Sequence, residues 1–249
     1  MLNYEAPKAL LQGKTILVTG AGDGIGKEAA LQYAAHGATI ILLGRTPKKL
    51  EDVYDLIEER GYPQPAIVPI NLENATEHDY QELANTLAAE FPKLDGLLLN
   101  ASILGDRTPL SDYDSDTFEK VMKVNVNSQF MLTQALLPLL GRSSSASVIF
   151  TTSSVGRKAR AYWGAYSISK FATEAMMQLF SEELAQTSNI RVNAINPGAT
   201  RTTMRANAYP GEDPLDLKNP SDLMPLYLYL MGKDSENTNG CSIDAQPKN

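Results

Sequence analysis

The sequence predicts a doubly wound α/β fold: a mainly parallel, seven-stranded sheet with helices on both faces, built as a single domain over residues 1–249. Three observations carry that expectation. Short apolar, β-branched runs alternate with longer amphipathic stretches along the chain. The runs are apolar almost without interruption, as strands covered on both faces must be. A glycine-rich segment joins the first run directly to the first amphipathic stretch.

The first run is KTILVTG (14–20), and helical character follows its glycines over 24–36. ATIILLG (38–44) gives the second strand and 47–60 the second helix. PAIVPIN (65–71) precedes a helix over 76–91, and LDGLLLN (94–100) a long one over 115–141. ASVIFTTS (146–153) leads to a helix over 165–187. After IRVNAINPG (190–198) the alternation breaks. Residues 199–219 carry two prolines and little periodicity, and read as a substrate loop, since long irregular segments in compact domains are often lids. A helix over 220–232 and a weaker strand, GCSIDA (240–245), complete the pattern, with no repeat and no linker.

Composition narrows the function classes. Hydrophobic residues make up 43% and charged residues 20%, ordinary for a globular protein. A net charge of −7 and a pI of about 5.0 argue against nucleic acid or a membrane surface as partner. MLNYEAPKALLQGK lacks the apolar run of a signal peptide, and no stretch reaches the roughly 18 apolar residues of a span. The one cysteine, Cys241, fits a reducing compartment, and the cytoplasm is the expected location. The two histidines, His36 and His78, make neither a metal site with that cysteine nor a triad, so no metal is expected. EDVYDLIEER (51–60) reads as a solvated helix face, and FMLTQALLPLL (130–140) as core or a subunit contact.

Chemistry enters with TGAGDGIG, which spaces Gly20, Gly22, Gly24 and Gly26 between strand and helix. Its last spacing departs from G-x-G-x-x-G, but the mechanics are the same. Glycines allow a tight turn and close approach of a pyrophosphate, and a helix N-terminus offers it free N–H groups. A ligand-free turn is the bland alternative. The second strand ends in Gly44, where an NAD site places its carboxylate, followed by Arg45 and Thr46, which suit the extra phosphate of NADP. NADP(H) is therefore the preferred cofactor. NAD(H) stays open because Asp23, inside the glycine loop, could repel that phosphate, and Arg45 could instead pair with Asp23 or face water. Further on, Tyr166 and Lys170 stand four residues apart and so share one face of a helix. A buried aromatic beside a solvated cation fits that spacing as well as a tuned phenol does.

Taken together, TGAGDGIG, LNAS, VNVNS, TTSS, YSISK and NPGATRT resemble, in order and approximate spacing, the motifs of the short-chain dehydrogenase/reductase family. The resemblance spans nearly the whole chain. It is to the compact single-domain branch, with its Rossmann-type fold, and to a bacterial subgroup of YciK-type oxidoreductases. It implies Tyr166 as catalytic acid/base, with Lys170, Ser153 and Asn125 as the other catalytic residues. It implies cofactor contacts from Gly20, Gly24, Ile25 and Gly26, from Asn71, Leu72 and Asn100, and from Pro197, Gly198 and Thr202, with Tyr166 and Lys170 also touching the cofactor. Three departures stand out. The family's N-A-G reads Asn100-Ala101-Ser102, an adenine-holding Asp reads Asn71, and a C-terminal D-G turn reads Asp244-Ala245 before QPKN. That tail often helps build a family tetramer, so a homodimer is as much expected here as a homotetramer.

The residues suit the implied roles. A phenol titrates near pH 10, too high for an efficient base at neutral pH, and an ammonium beside it stabilises the phenolate. Ser153 would hydrogen-bond the reacting oxygen, and Asn125 would hold a water linking Lys170 to solvent. The expected reaction interconverts a carbonyl and an alcohol by hydride transfer. Arg157, Lys158 and Arg160 follow the fifth strand, and Arg201 and Arg205 follow the sixth, near strand ends where ligands bind. They suggest an anionic substrate, against the alternatives of a partner contact or a solvated surface. Trp163 and Tyr209 could supply an apolar wall. Two other functions are weighed: a non-catalytic dinucleotide-binding redox sensor or scaffold, and a nucleotide-sugar epimerase or dehydratase, for which the C-terminal half leaves little room.

Overall fold

Every strand of this chain runs the same way. A computed structural model describes residues 3–247, in which β1 (Thr15–Thr19), β2 (Thr39–Gly44), β3 (Ala66–Pro69), β4 (Gly96–Leu99), β5 (Ala146–Thr151), β6 (Ile190–Asn196) and β7 (Ser242–Asp244) form one parallel sheet. The order is β3-β2-β1-β4-β5-β6-β7. Register follows the apolar runs, with Ile16 opposite Ile40, Leu97 opposite Val148 and Ile149 opposite Asn193.

Strand periodicity divides the core in two. Ile16, Val18, Ile40, Leu42, Leu98, Ile149 and Ile195 point to one face, where they meet α1 (Gly24–Ala35), α2 (Pro47–Glu59) and α8 (Met224–Met231). Leu17, Ile41, Leu43, Leu97, Leu99, Val148, Phe150 and Val192 point to the other, under α3 (Glu77–Glu90), α5 (Ser128–Leu140) and α6 (Gly164–Leu184). Each fully buried Leu or Ile contributes roughly 1.5–3 kcal/mol relative to exposure.

The helices begin where local chemistry allows. Asp23 caps α1 by accepting from Gly24 N, Pro47 opens α2, and Thr76 and Asp79 form a reciprocal capping box on α3. The long helix expected over 115–141 is interrupted. It consists of α4 (Ser115–Met122), a π-turn at Lys123–Asn127, and then α5. Within 199–219 a short helix, α7 (Thr203–Ala208), interrupts the expected irregular segment; Thr202 caps it, its hydroxyl accepting from Arg205 N at 3.2 Å.

Parallel strands bring all their carboxyl ends to one edge. The strand order reverses between β1 and β4, and that switch opens the crevice where ligands bind in such sheets. Thr19 closes its floor: its hydroxyl donates to Leu98 O at 3.2 Å and accepts from Asn100 N at 2.9 Å and Ala101 N at 3.0 Å. Replacing Thr19 by Val keeps the shape and strands those amides. Urea unfolding of Thr19→Val is expected to show a loss of about 1–3 kcal/mol, and an unchanged midpoint would remove this role.

Candidate active site

The crevice continues into a cleft of about 1810 Å³ lined from the ends of β1, β2, β4, β5 and β6. At its β1 end, Gly20 turns the chain with a positive φ of +67°. A side-chain carbon on Gly26 would run into the Gly20 carbonyl, so α1 starts pressed against the loop. Gly20, Gly24 and Ile25 line the cleft; Gly26 supports them from behind. Asn100 ties this end to β1, its side-chain amide donating to Thr19 O at 3.3 Å.

Gly44, Arg45, Thr46 and Lys49 line the neighbouring corner. Arg45 is exposed and has no ion-pair partner among the described residues. The pairing considered between Arg45 and Asp23 does not occur. Lys49 Nζ instead sits 2.7 Å from Asp23 Oδ2, and that hydrogen bond holds the carboxyl below its ordinary range. Asn71 and Leu72 lie on the same wall, Asn71 Oδ1 accepting from Glu73 N at 3.2 Å. Lys49 was not singled out from the sequence, although its place one helical turn beyond Arg45 was a readable signal.

Ser153, Tyr166 and Lys170 meet at the β5 end. Ser153 is the last extended residue before a short 3-10 turn (154–156), and Tyr166 and Lys170 occupy one face of α6. Tyr166 is buried; burial pushes its phenol up to about 12, against a downward pull from the Ser153 hydroxyl. The lowering expected from the ammonium is not seen on the protein alone: burial, opposed only by the Ser153 hydroxyl, sets the shift. Lys170 is fully buried with its amine 5.4 Å from the Tyr166 ring centroid, and donates to Thr151 O at 2.8 Å. Burial brings that amine down to about 8. Asn125 lies on the π-turn, fully buried. Its Oδ1 accepts from Ile103 N at 2.8 Å, and its Nδ2 donates to Ile103 O at 2.9 Å and Ser169 Oγ at 3.0 Å. The side-chain amide hydrogens are thereby engaged, and Asn125 fixes the β4 loop against α6.

The substrate end differs from the sequence expectation. Arg157 does not line the cleft. Its guanidinium donates to Glu174 Oε1 at 3.1 Å, Asp244 Oδ1 at 2.7 Å and Ser242 Oγ at 2.6 Å, cross-linking the β5 loop, α6 and β7. Lys158 is exposed outside the cleft, and Arg201 bonds the carbonyls of Pro214 and Leu217. Arg160, Trp163 and Arg205 do line it, but Arg205 is doubly bonded to Glu212 at 2.6 Å. Arg107, in the loop after β4, was missed. It lines the cleft with its guanidinium carbon 4.5 Å from the Trp163 ring and 4.8 Å from the Tyr209 ring. The strand-end rule that drew attention to the loops after β5 and β6 applies equally to this one.

Pro197, Gly198 and Thr202 border the cleft at the β6 end. Gln246, also unanticipated, folds the tail back on this loop, donating to Pro197 O at 2.9 Å and Ala199 O at 2.8 Å. Of the tail QPKN, the last two residues lie outside the described ones. Among the described residues no cluster of metal-ligating side chains occurs, and no helix is long and apolar enough to cross a membrane.

Residues 14–213 match the family model described as short chain dehydrogenase. The Escherichia coli K12 oxidoreductase YciK is 53% identical over 246 residues, covering 99% of this chain and 97% of YciK. A short chain dehydrogenase structure from Pseudomonas syringae aligns with a TM-score of 0.97 at 58% identity, over 99% of this chain and 100% of that one. Another, from Shigella flexneri 2a and complexed with NADP, aligns with a TM-score of 0.94 at 53% identity, over 97% of this chain and 100% of that one.

The buried pair makes stability depend on pH. Unfolded Lys170 titrates near 10.5 and the folded amine at about 8, so between these values the unfolded chain holds more protons and stability rises with pH. Tyr166 works the other way. Its folded phenol keeps its proton to about 12 while the unfolded one loses it near 10.0, so stability falls as pH rises through that window. Urea unfolding of the parent and Lys170→Met is expected to show the parent gaining about 2–3 kcal/mol on the variant between pH 7 and pH 10. A constant gap would mean that the amine titrates alike in the folded and unfolded chain, its desolvation fully compensated.

Proposed function

This chain belongs to the short chain dehydrogenase family, and from that premise we propose that it is an NADP(H)-dependent oxidoreductase interconverting a carbonyl and an alcohol, with Tyr166 as acid/base. The observation that carries the reading is the meeting of Tyr166 and Ser153 in the same cleft as a glycine loop, with Lys170 not lining that cleft but buried against the Tyr166 ring.

The residues present fit a dinucleotide. Gly20 and Gly22 let the backbone between strand end and helix start face the cleft directly, and beyond Gly24, whose N–H is capped by Asp23, the next N–H groups of α1 have no partner within the helix. Gly44 brings no carboxylate to the ribose, and Arg45 and Lys49 supply cations for a 2′-phosphate. Lys49 also removes the objection raised by Asp23, since the carboxylate is paired within the loop. The NADP of the Shigella flexneri structure points the same way.

When bound, the cofactor supplies or accepts the hydride. The chain's own residues do the rest. Ser153 donates to the reacting oxygen and stabilises the negative charge that grows there. Tyr166 gives its proton to that oxygen in reduction and takes it back in oxidation. On the protein alone burial keeps the phenol protonated at neutral pH, the form from which a proton can be given. Lys170 keeps a positive charge beside the phenol, and the Thr151 carbonyl aims its amine. Asn125 positions the β4 loop and α6 around them.

Exposed Phe130 on α5 and Ile168, Phe171 and Leu179 on α6 support self-association as a homodimer or homotetramer. The lone Cys241 supports a reducing, cytoplasmic setting. A redox sensor or scaffold would bind the cofactor and turn nothing over.

NADPH oxidation against a panel of aldehydes and ketones tests the reading. Tyr166→Phe is expected to lower kcat by about 10²–10⁴-fold while NADPH still binds, and parent-like turnover would overturn the assignment. Arg45→Gln is expected to weaken NADPH binding about tenfold in a fluorescence titration with little change for NADH; equal losses would remove the phosphate role.

A further inference from the structure

Charge at the substrate end of the cleft is mostly answered within the chain. Arg157 is held by Glu174 and Asp244, and Arg205 by Glu212. Arg107 is different. It has no carboxylate within ion-pair distance among the described residues, although Asp106 is its neighbour in sequence and also borders the cleft. Its Nη1 donates to Ala208 O at 2.7 Å, and the rings of Trp163 and Tyr209 lie 4.5 and 4.8 Å from its guanidinium carbon. One bond and two aromatic contacts fix the plane of this cation while leaving the Nε–Nη2 edge without an acceptor. That edge matches the two oxygens of a carboxylate.

The position matters as much as the charge. Trp163 touches both Arg107 and Tyr166, with ring centroids of Trp163 and Tyr166 5.7 Å apart. An anion on Arg107 would thus sit one aromatic ring away from the phenol. Aromatic contact also restrains the guanidinium at low entropic cost, and Arg107 is itself exposed, so an anion in the cleft can reach it.

Resting on the oxidoreductase reading above, we propose that Arg107 is a specificity-determining residue that selects substrates carrying a carboxylate, with Trp163 and Tyr209 as the wall beside it. The anion preference first read from Arg157, Lys158, Arg160, Arg201 and Arg205 therefore moves chiefly to a different loop. Arg160 also lines the cleft, without an ion-pair partner among the described residues, and adds a second cation.

Benzoate and benzamide are matched in shape and differ in charge, so their binding to the NADP⁺-loaded protein by calorimetry isolates the anion term. The parent is expected to favour benzoate by about tenfold or more, Arg107→Gln to bring the two within about twofold, and Arg107→Lys to keep part of the preference. Lys158→Gln, outside the cleft, should leave both affinities as in the parent. Equal affinities in the parent, an undiminished preference in Arg107→Gln, or an equal loss of both ligands in that variant would overturn the proposal, the last by reducing Arg107 to a strut for α7. The turnover assay of Tyr166→Phe is independent. A benzoate preference with no turnover on any carbonyl would sink the oxidoreductase reading alone, and turnover without the preference would sink this one alone.

Discussion

Lys170 carries an ionisable amine with no exposed surface and no carboxylate at ion-pair distance among the described residues; its protein acceptor is the carbonyl at the end of β5. Withdrawing a cation from water costs several kcal/mol unless fixed dipoles answer it. The rest of the site is arranged around that demand. The end of β5 supplies the carbonyl, α6 carries the amine and the phenol on one face, and Asn125 holds the β4 loop against the same helix. Glu174, one turn beyond Lys170, accepts from Thr152, Arg157 and Ser242, so its negative charge is answered locally. The amine and the phenol are left to respond to each other and to what binds above them.

A parallel sheet suits such an arrangement because it concentrates loop beginnings on one edge while burying both faces of the strands. Thr19 joins β1 to β4, and Arg157 joins the β5 loop to α6 and β7. These polar links lie where the apolar core ends, at the level of the cleft floor. The α7 segment is tied to the β4 loop by Arg107 on Ala208 O, with Thr202 at its cap and Arg205 bonded to Glu212.

Much of this was legible in the residues. Runs such as IILL in the second strand and VIF in the fifth place apolar residues side by side because both faces are covered, and the structure finds β2 and β5 there. Tyr166 and Lys170 fall on one helix face as their spacing requires. The π-turn escaped notice because it leaves the apolar pattern of 115–141 intact, and α7 because six residues are too few to display a period. Partners of charges were the least readable. Nothing local in GRKAR says that Arg157 turns toward Glu174 and Asp244, residues distant in sequence, while Arg107 in GDRTPL turns toward two aromatic rings. Loop charges acquire their roles from tertiary contacts that no periodicity encodes.

The wide turn at Lys123–Asn127 answers two demands that an unbroken α-helix would set against each other. Hydrogen bonding asks Asn125 to face Ile103 and Ser169, whereas the core asks Leu132, Leu136 and Leu139 further along to face the sheet. A helix has one angular phase, about 100° per residue, so satisfying the first would rotate the second out of place. One additional residue in the turn resets that phase. The two halves of the helix are thereby geared independently, and substitutions that refine the amide's aim need not disturb the hydrophobic layer beneath.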